Sequence, residues 1–331
     1  MTRRERVKAA IAHQVPDKVP TFFHMAYDGL ATYNDRLWER YGREDMRRLL
    51  DEGKLENRNA LYYSMGNHVC FLENFPWWGW KNLPKEYSDW ETPDFLPETE
   101  DFGSLEVFAE SVRNLRKYTD AYILVEIWTS DFEKAYYSRG IENFLADMAA
   151  DPDFSKRLLD FITEKNLEKL RQIVQVPGID GVLLGNDWGS QRDLLMSPTT
   201  WRELLKPGAQ KEYDVIHGAG LDVWVHSCGD IRKIMPDLVD MGVDVLNPIQ
   251  PECMDIYELK AQYGDKMTFW GGIGTQRILP RGTTEEVREE TIRVTEAMSK
   301  NGGYLIAAAQ GMQADIPFEN LCALVDTANE I

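Results

Sequence analysis

Cysteine is scarce in this chain. Four occur, Cys70, Cys228, Cys253 and Cys322, with no CxxC pair among them. That excludes a disulfide scaffold and a CxxC-type zinc ribbon, and it points to reduced thiols in a cytoplasm. Long apolar runs are missing as well. No stretch approaches the roughly 18 residues that a membrane span needs. The opening MTRRERVKAA is basic but has no apolar core behind it, so it does not read as a secretion signal. Basic residues are in deficit, 37 Lys and Arg against 55 Asp and Glu, for a net charge of −18. Such a chain repels phosphate backbones and anionic lipid, so neither nucleic acid nor a membrane is an expected partner. No GxGxxG follows the first apolar run, which removes the main sign of a dinucleotide-binding domain.

What is present is a long alternation. Short apolar runs lie at Ala121–Ile127, Gly181–Leu184, Leu221–Val225, Val243–Pro248, Met267–Trp270 and Tyr304–Ala308. Each is the length of a buried parallel strand. Val19–His24 reads as a further strand, and one more is expected near Tyr62–Phe71. Helix starts fall between them. Asp151-Pro152 and Ser197-Pro198 are N-cap and first-turn proline pairs. Thr2 with Glu5, and Thr283 with Glu286, form capping boxes. Eight strands alternating with helices predict an α/β chain folded as a (β/α)8 TIM barrel, a single domain over residues 1–331. A doubly wound open sheet is the competing arrangement. The stretch from about residue 25 to 120 is too long for one strand–helix unit. It reads as an insertion-rich elaboration of the barrel mouth, carrying the aromatic FPWWGW and the acidic PETED. The aromatics either wall a flat ligand or pack the insertion onto the barrel.

In barrel enzymes the chemistry sits at the carboxyl ends of the strands. Reading off those ends gives His24, Tyr27 and Asp28; Glu126; Asn186, Asp187 and Arg192; His226 and Cys228; Asn247; Gln276; and Gln310. Glu126, Asp187 and Gln310 are the candidate catalytic groups. His24, Tyr27, Asp28, Asn186, Arg192, Asn247 and Gln276 are candidate substrate contacts. Polar groups there are costly unless paired or used, so a cluster at one rim says more than any single member. A hydrogen-bonded structural rim would look similar.

His226 and Cys228, in VHSCGD, stand one residue apart at a strand end. Alternation points their side chains the same way. Imidazole and thiolate are good zinc ligands, and a catalytic zinc takes three protein ligands and keeps one open position. Candidates for the third are Glu126, Asp187, Cys253, Gln310 and His24. A histidine hydrogen-bonded beside a buried thiol is the bland alternative. Cys228 as nucleophile with His226 as its base is another, without an evident oxyanion donor.

Several of these segments together resemble the uroporphyrinogen decarboxylase superfamily: RRERVKAAIAHQVPDKVP, GNDWGSQRDLLMSPTTWRELLKP, VHSCGDIRKIMPDLVDMGVDVLNPIQ, GGIGTQRILPRGTTEEV and GYLIAAAQGMQADIPFEN. The resemblance implies a (β/α)8 barrel. It also implies one of two activities. Porphyrinogen decarboxylases of the superfamily carry an arginine-rich segment of the form RQAGRYLPE that grips substrate carboxylates. Here FHMAYDGLATYNDRLWERYG stands there, with His24 and Asp28 and without both arginines, which is the wrong sign for a carboxylate. The other branch holds zinc-dependent, corrinoid-linked methyltransferases resembling the methylcobalamin:coenzyme M enzymes. Their zinc is held by an HxC pair, matched by His226 and Cys228, and a distant C-terminal cysteine, whose place Gln310 takes here. The resemblance thus implies zinc, a small-molecule methyl donor or acceptor, and a corrinoid on a partner protein, since no cobalamin-binding DxHxxG occurs in the chain. A decarboxylase acting on a tetrapyrrole or another carboxylated substrate, and a non-catalytic ligand-binding homologue, are the alternative expectations.

Overall fold

The computed structural model describes residues 1–81 and 98–331. Nine strands occur among the described residues: β1 Val69–Leu72, β2 Trp77–Trp80, β3 Thr99–Phe102, β4 Tyr122–Ile127, β5 Gly181–Gly185, β6 Asp222–His226, β7 Val245–Ile249, β8 Thr268–Ile273 and β9 Tyr304–Ala308. The chain divides into two compact units. Unit 1 comprises Met1–Phe71, Arg113–Leu124 and Asp244–Ile331, and unit 2 comprises Leu72–Val112 and Val125–Val243.

In unit 1, β7, β8 and β9 pair in parallel, with Val245 opposite Thr268 and Phe269 opposite Tyr304. Helices Ile256–Tyr263 and Thr284–Met298 make the crossovers. The second starts on the expected capping box, with Glu286 N–H donating to Thr283 Oγ1 at 3.2 Å and Thr283 N–H to Glu286 Oε2 at 2.7 Å. Its buried residues Val287, Thr291, Val294 and Met298 recur at helical spacing, so one face packs inward. Beside β9 runs the segment Thr21–Met25, held by parallel bridges Thr21–Ile306 and Met25–Met312. The sequence predicts a full strand over Val19–His24. The structure has only bridges, and Pro20 is a physical reason, because it brings no amide N–H to a ladder. The strand expected near Tyr62–Phe71 is split between the end of helix Asn57–Ser64 and β1.

In unit 2, β5 and β6 pair in parallel, with Gly185 opposite His226. Helix Lys206–Gly218 connects them. Helix Pro152–Ile173 begins as expected: Asp151 caps it by accepting from Phe154 N–H at 3.0 Å, and proline follows in the first turn. Phe154, Leu158, Ile162, Asn166 and Leu170 make its buried stripe. The FPWWGW aromatics settle on this helix. Trp78 is buried, and Trp80 stacks on Phe161 at 6.0 Å. β2 pairs antiparallel with β3. On β3, Asp101 of the acidic PETED stretch meets Lys169 at 2.6 Å. These aromatics therefore pack the segment down. The insertion-rich span of about 25–120 includes residues 82–97, which lie outside the described residues.

Each unit thus repeats parallel strand–helix–strand crossovers, which makes the chain an α/β protein. Among the described residues, no helix is long and apolar enough to cross a membrane.

Candidate metal centre

Two loops build the centre, and two glycines let them meet. After β5 the chain runs Asn186-Asp187-Trp188-Gly189-Ser190, and after β6 it runs Ser227-Cys228-Gly229-Asp230. A Cβ on Gly189 would lie 2.6 Å from Cys228 O, closer than atoms can approach. Gly229 has φ +83°, in the left-handed region where side chains are costly. With both side chains absent, the loops are laced together. Asp230 N–H donates to Ser190 O at 2.8 Å, and Trp188 N–H donates to Ser227 Oγ at 3.0 Å. Cys228 N–H donates to Asp187 Oδ1 at 2.9 Å. Trp188 anchors the first loop by burial against Trp201, 5.3 Å away edge to face.

This lacing places three donor atoms together. His226 Nε2 and Cys228 Sγ are 3.3 Å apart, and His226 Nε2 lies 3.6 Å from Asp187 Oδ1. The ligand atoms of Asp187, His226 and Cys228 all fall within 4.8 Å of one another. Two ligands on one tetrahedral zinc, with bonds of about 2.0–2.3 Å, are roughly 3.3–3.6 Å apart. The set offers a nitrogen, a sulfur and an oxygen, the donor types a zinc takes. Three ligands leave a fourth position for another molecule. The indole of Trp128 meets the His226 ring edge to face at 4.9 Å and limits its rotation. His226 is largely buried, with 11% of its side chain exposed, while Asp187 keeps 37%.

Of the expected third ligands, Asp187 is the one in this group. His24, Glu126 and Cys253 belong to no such group among the described residues. Glu126 is buried on β4. In unit 1, Gln310 lines a cavity of about 390 Å³ at the carboxyl ends of β7–β9, with Gln250, Gln276, Gln313, Arg281 and Asp315. Asn247 is buried on β7 and donates to Trp270 O at 3.1 Å. His24 packs against Phe71 with ring centres 5.7 Å apart. Asp28 accepts from Ala314 N–H at 3.1 Å, and Tyr27 is exposed under the guanidinium of Arg58. In unit 2, Arg192 is exposed on the loop after β5. Asn186 is buried. Its oxygen accepts from the N–H groups of Asp131 and Phe132, both at 2.9 Å, and so closes the start of helix Phe132–Arg139.

Sequence reasoning missed Glu133, on the first turn of that helix. Burial and then the negative charge of Asp187 push its carboxyl up to about 7. Tyr136 donates its hydroxyl to Glu133 at 3.1 Å. A carboxyl that titrates near neutrality beside a candidate metal ligand is suited to carrying a proton.

A family model described as uroporphyrinogen decarboxylase (URO-D) matches residues 79–331. The chain is a member of the uroporphyrinogen decarboxylase family. No curated protein matches it in sequence. Among solved structures, this family member is similar to a methyltransferase from Methanosarcina mazei, 18% identical with a TM-score of 0.69 over 100% of this chain and 99% of that one. That likeness shows a shared fold. A chitinase from Chromobacterium violaceum is more distant, 11% identical with a TM-score of 0.42 over 95% and 99% of the two chains. At that distance nothing about activity follows.

Proposed function

We propose that this family member is a methyltransferase that moves a methyl group between a corrinoid and a thiol or methylated small molecule, with zinc on Asp187, His226 and Cys228. The convergence of those three side chains carries the reading. Membership of the family and the fold shared with a methyltransferase support it. In this reading the chain is a single (β/α)8 barrel domain working in the cytoplasm. The corrinoid is a substrate presented by a partner protein.

When bound, zinc supplies Lewis acidity that lowers the pKa of a thiol at its open position. The chain's own residues do the rest. Asp187 holds the Cys228 amide and fixes the turn that aims Sγ at His226. To hold zinc, His226 would present an unprotonated Nε2 and Cys228 a thiolate, the thiol proton passing to solvent. Glu133 takes the proton of an incoming thiol, and Tyr136 keeps its carboxyl in place. The acceptor sulfur then forms its bond to carbon as the cobalt–carbon bond breaks. In the reverse direction a methylated substrate gives up its methyl group, and Glu133 returns the proton. Glu126, buried on β4, is a proposed catalytic group, and Asn186 and the exposed Arg192, both after β5, are proposed substrate contacts. Gln276 and Gln310, on the 390 Å³ cavity, are proposed contacts for a polar small molecule.

The family's description favours one second reading, decarboxylation of a carboxylated substrate without metal. Metal analysis and methyl transfer separate the two. The purified protein should hold close to one zinc per chain and should methylate a thiol from methylcobalamin. A His226→Ala, Cys228→Ala double variant should lose both while still unfolding cooperatively, with a midpoint near that of the metal-free wild type. A protein that binds no zinc when zinc is supplied, or a double variant that keeps it, would sink the methyltransferase reading. Release of carbon dioxide from a tetrapyrrole carboxylate by that metal-free protein would establish the second.

A further inference from the structure

At the amino-terminal ends of β8 and β9, opposite the glutamine-lined cavity of unit 1, lies a second cavity of about 730 Å³. Its walls include Lys260, Lys266 and Lys300, with His13, Tyr257 and Asp265. Three ammonium groups against one carboxylate is an inversion of the chain's average, which is −18. Lys260 is half-buried, and its Nζ donates to Gly302 O at 2.6 Å. Among the described residues, none of the three lysines lies within ion-pair distance of a carboxylate. Burial lowers the pKa of Lys260, with no anion to offset it. Burial and the charge of Lys260 also lower that of His13, whose Nδ1 is buried without a hydrogen-bond partner. Lys260, part-desolvated with a carbonyl as its partner and no counter-charge, is in a costly state, and the exposed Lys266 and Lys300 add two more ammonium groups at the rim, so the cavity favours an anion.

The chemistry of the cations narrows the class. The wall offers ammonium groups, compact point charges with three donors each. It has no guanidinium fork to match a planar carboxylate. Point charges from several directions suit the tetrahedral oxygens of a phosphoryl group. The volume lies within the range of small-molecule sites, roughly 300–1,000 Å³, and exceeds what a lone phosphate fills. Tyr257 and Ala297 give an apolar wall for the remainder. We infer that this cavity binds a small molecule bearing a phosphoryl group, held by Lys260, Lys266 and Lys300. This site stands apart from the metal reading and does not depend on it.

Calorimetry with inorganic pyrophosphate, adenosine 5′-monophosphate and citrate tests it on the whole chain. Lys266 and Lys300 are exposed, so a Lys266→Glu, Lys300→Glu double variant should fold normally. A Lys54→Glu, Lys117→Glu variant changes the net charge equally at other exposed positions. Pyrophosphate should bind saturably, and the cavity variant should weaken it by about tenfold or more while the control variant does not. Tighter binding of the monophosphate than of pyrophosphate would mark an organic ligand, and the opposite order an inorganic one. Absence of saturable heat with both phosphoryl probes, equal weakening in the two variants, or citrate binding as well as pyrophosphate would each overturn the inference.

Discussion

Asp187 keeps 37% of its side chain exposed, whereas Glu212, in the same unit, keeps none. Both belong to clusters of ionisable groups. The cluster of Asp187, His226 and Cys228 lies at the end of β6 and on the loops after β5 and β6, open on one side. The cluster around Glu212 is sealed, and every member comes from a helix, a strand or a capped turn. Asn166 ties it together. Its Nδ2 donates to Glu212 Oε1 at 2.7 Å, Ser130 O at 3.0 Å and Asp131 Oδ1 at 3.3 Å, and its oxygen accepts from Trp78 Nε1 at 2.8 Å. Burial pushes the Asp131 and Glu212 carboxyls up, Glu212 further through the charge of Asp131. Burial lowers Lys134 to about 8, and its ammonium donates to Trp78 O at 3.0 Å. The lesson is about access. The same residue types make a rigid frame when water is excluded and a candidate binding site when one face stays open.

The comparison breaks first, and by most, at Asn166. Asn166→Ala strands the Trp78 N–H and removes a donor from two buried carboxyls. Each buried group left without a partner costs about 1–3 kcal/mol, so a loss of roughly 3 kcal/mol or more is expected. The matching truncation in the open cluster, His226→Ala, should cost less, about 1–2 kcal/mol in metal-free protein: ring packing is lost, but Asp187 and Cys228 keep access to water and are not stranded. Urea midpoints of the two variants measure the contrast. Equal losses would mean that the open cluster is structural too.

Next in size is Asp187→Asn. The amide keeps the side chain's shape and can still accept from Cys228 N–H, but it is a poor metal ligand. Zinc affinity should fall by roughly 10–100-fold, with the unfolding midpoint of the metal-free protein nearly unchanged. Competition with a chromophoric chelator reads the affinity. An unchanged value would remove Asp187 from the ligand set and return the choice to the other candidates.

The sequence reveals one of these clusters and hides the other, for a physical reason. The HxC pair is local: two residues at a strand end share a face by alternation, and their atoms do meet. The last six strands are equally plain, because buried parallel strands read as apolar runs. The candidate third ligand is non-local. Asp187 lies 39 positions before His226, and the lacing of two loops through Gly189 and Gly229 brings it, and not Glu126, Cys253 or His24, into the group. Asn166 and Glu212 are worse still, since a polar residue within a helix looks like part of a solvated face until its neighbours are known. Glu133 is hidden in the same way. Val19–His24 fails for the opposite reason: its apolar character is right, and Pro20 spoils the ladder.

The smallest expected effect sharpens the boundary between the two clusters, because Glu133 sits between their extremes. It is part-buried and near Asp187, yet a hydroxyl donor satisfies it. Burial raises its carboxyl to about 7 in the folded chain, against the ordinary carboxylate value of about 4.3 when unfolded. The folded state therefore binds the proton more tightly. Its contribution to stability is fully present below about pH 4.3 and is lost as pH rises through about 7. In metal-free protein, Glu133→Gln should flatten that decline without moving the acid limb set by other carboxyls. Unfolding midpoints of wild type and variant across pH 4–8 read the difference. Parallel curves would show that Glu133 titrates like an exposed acid, and it would then have no proton to offer at neutral pH.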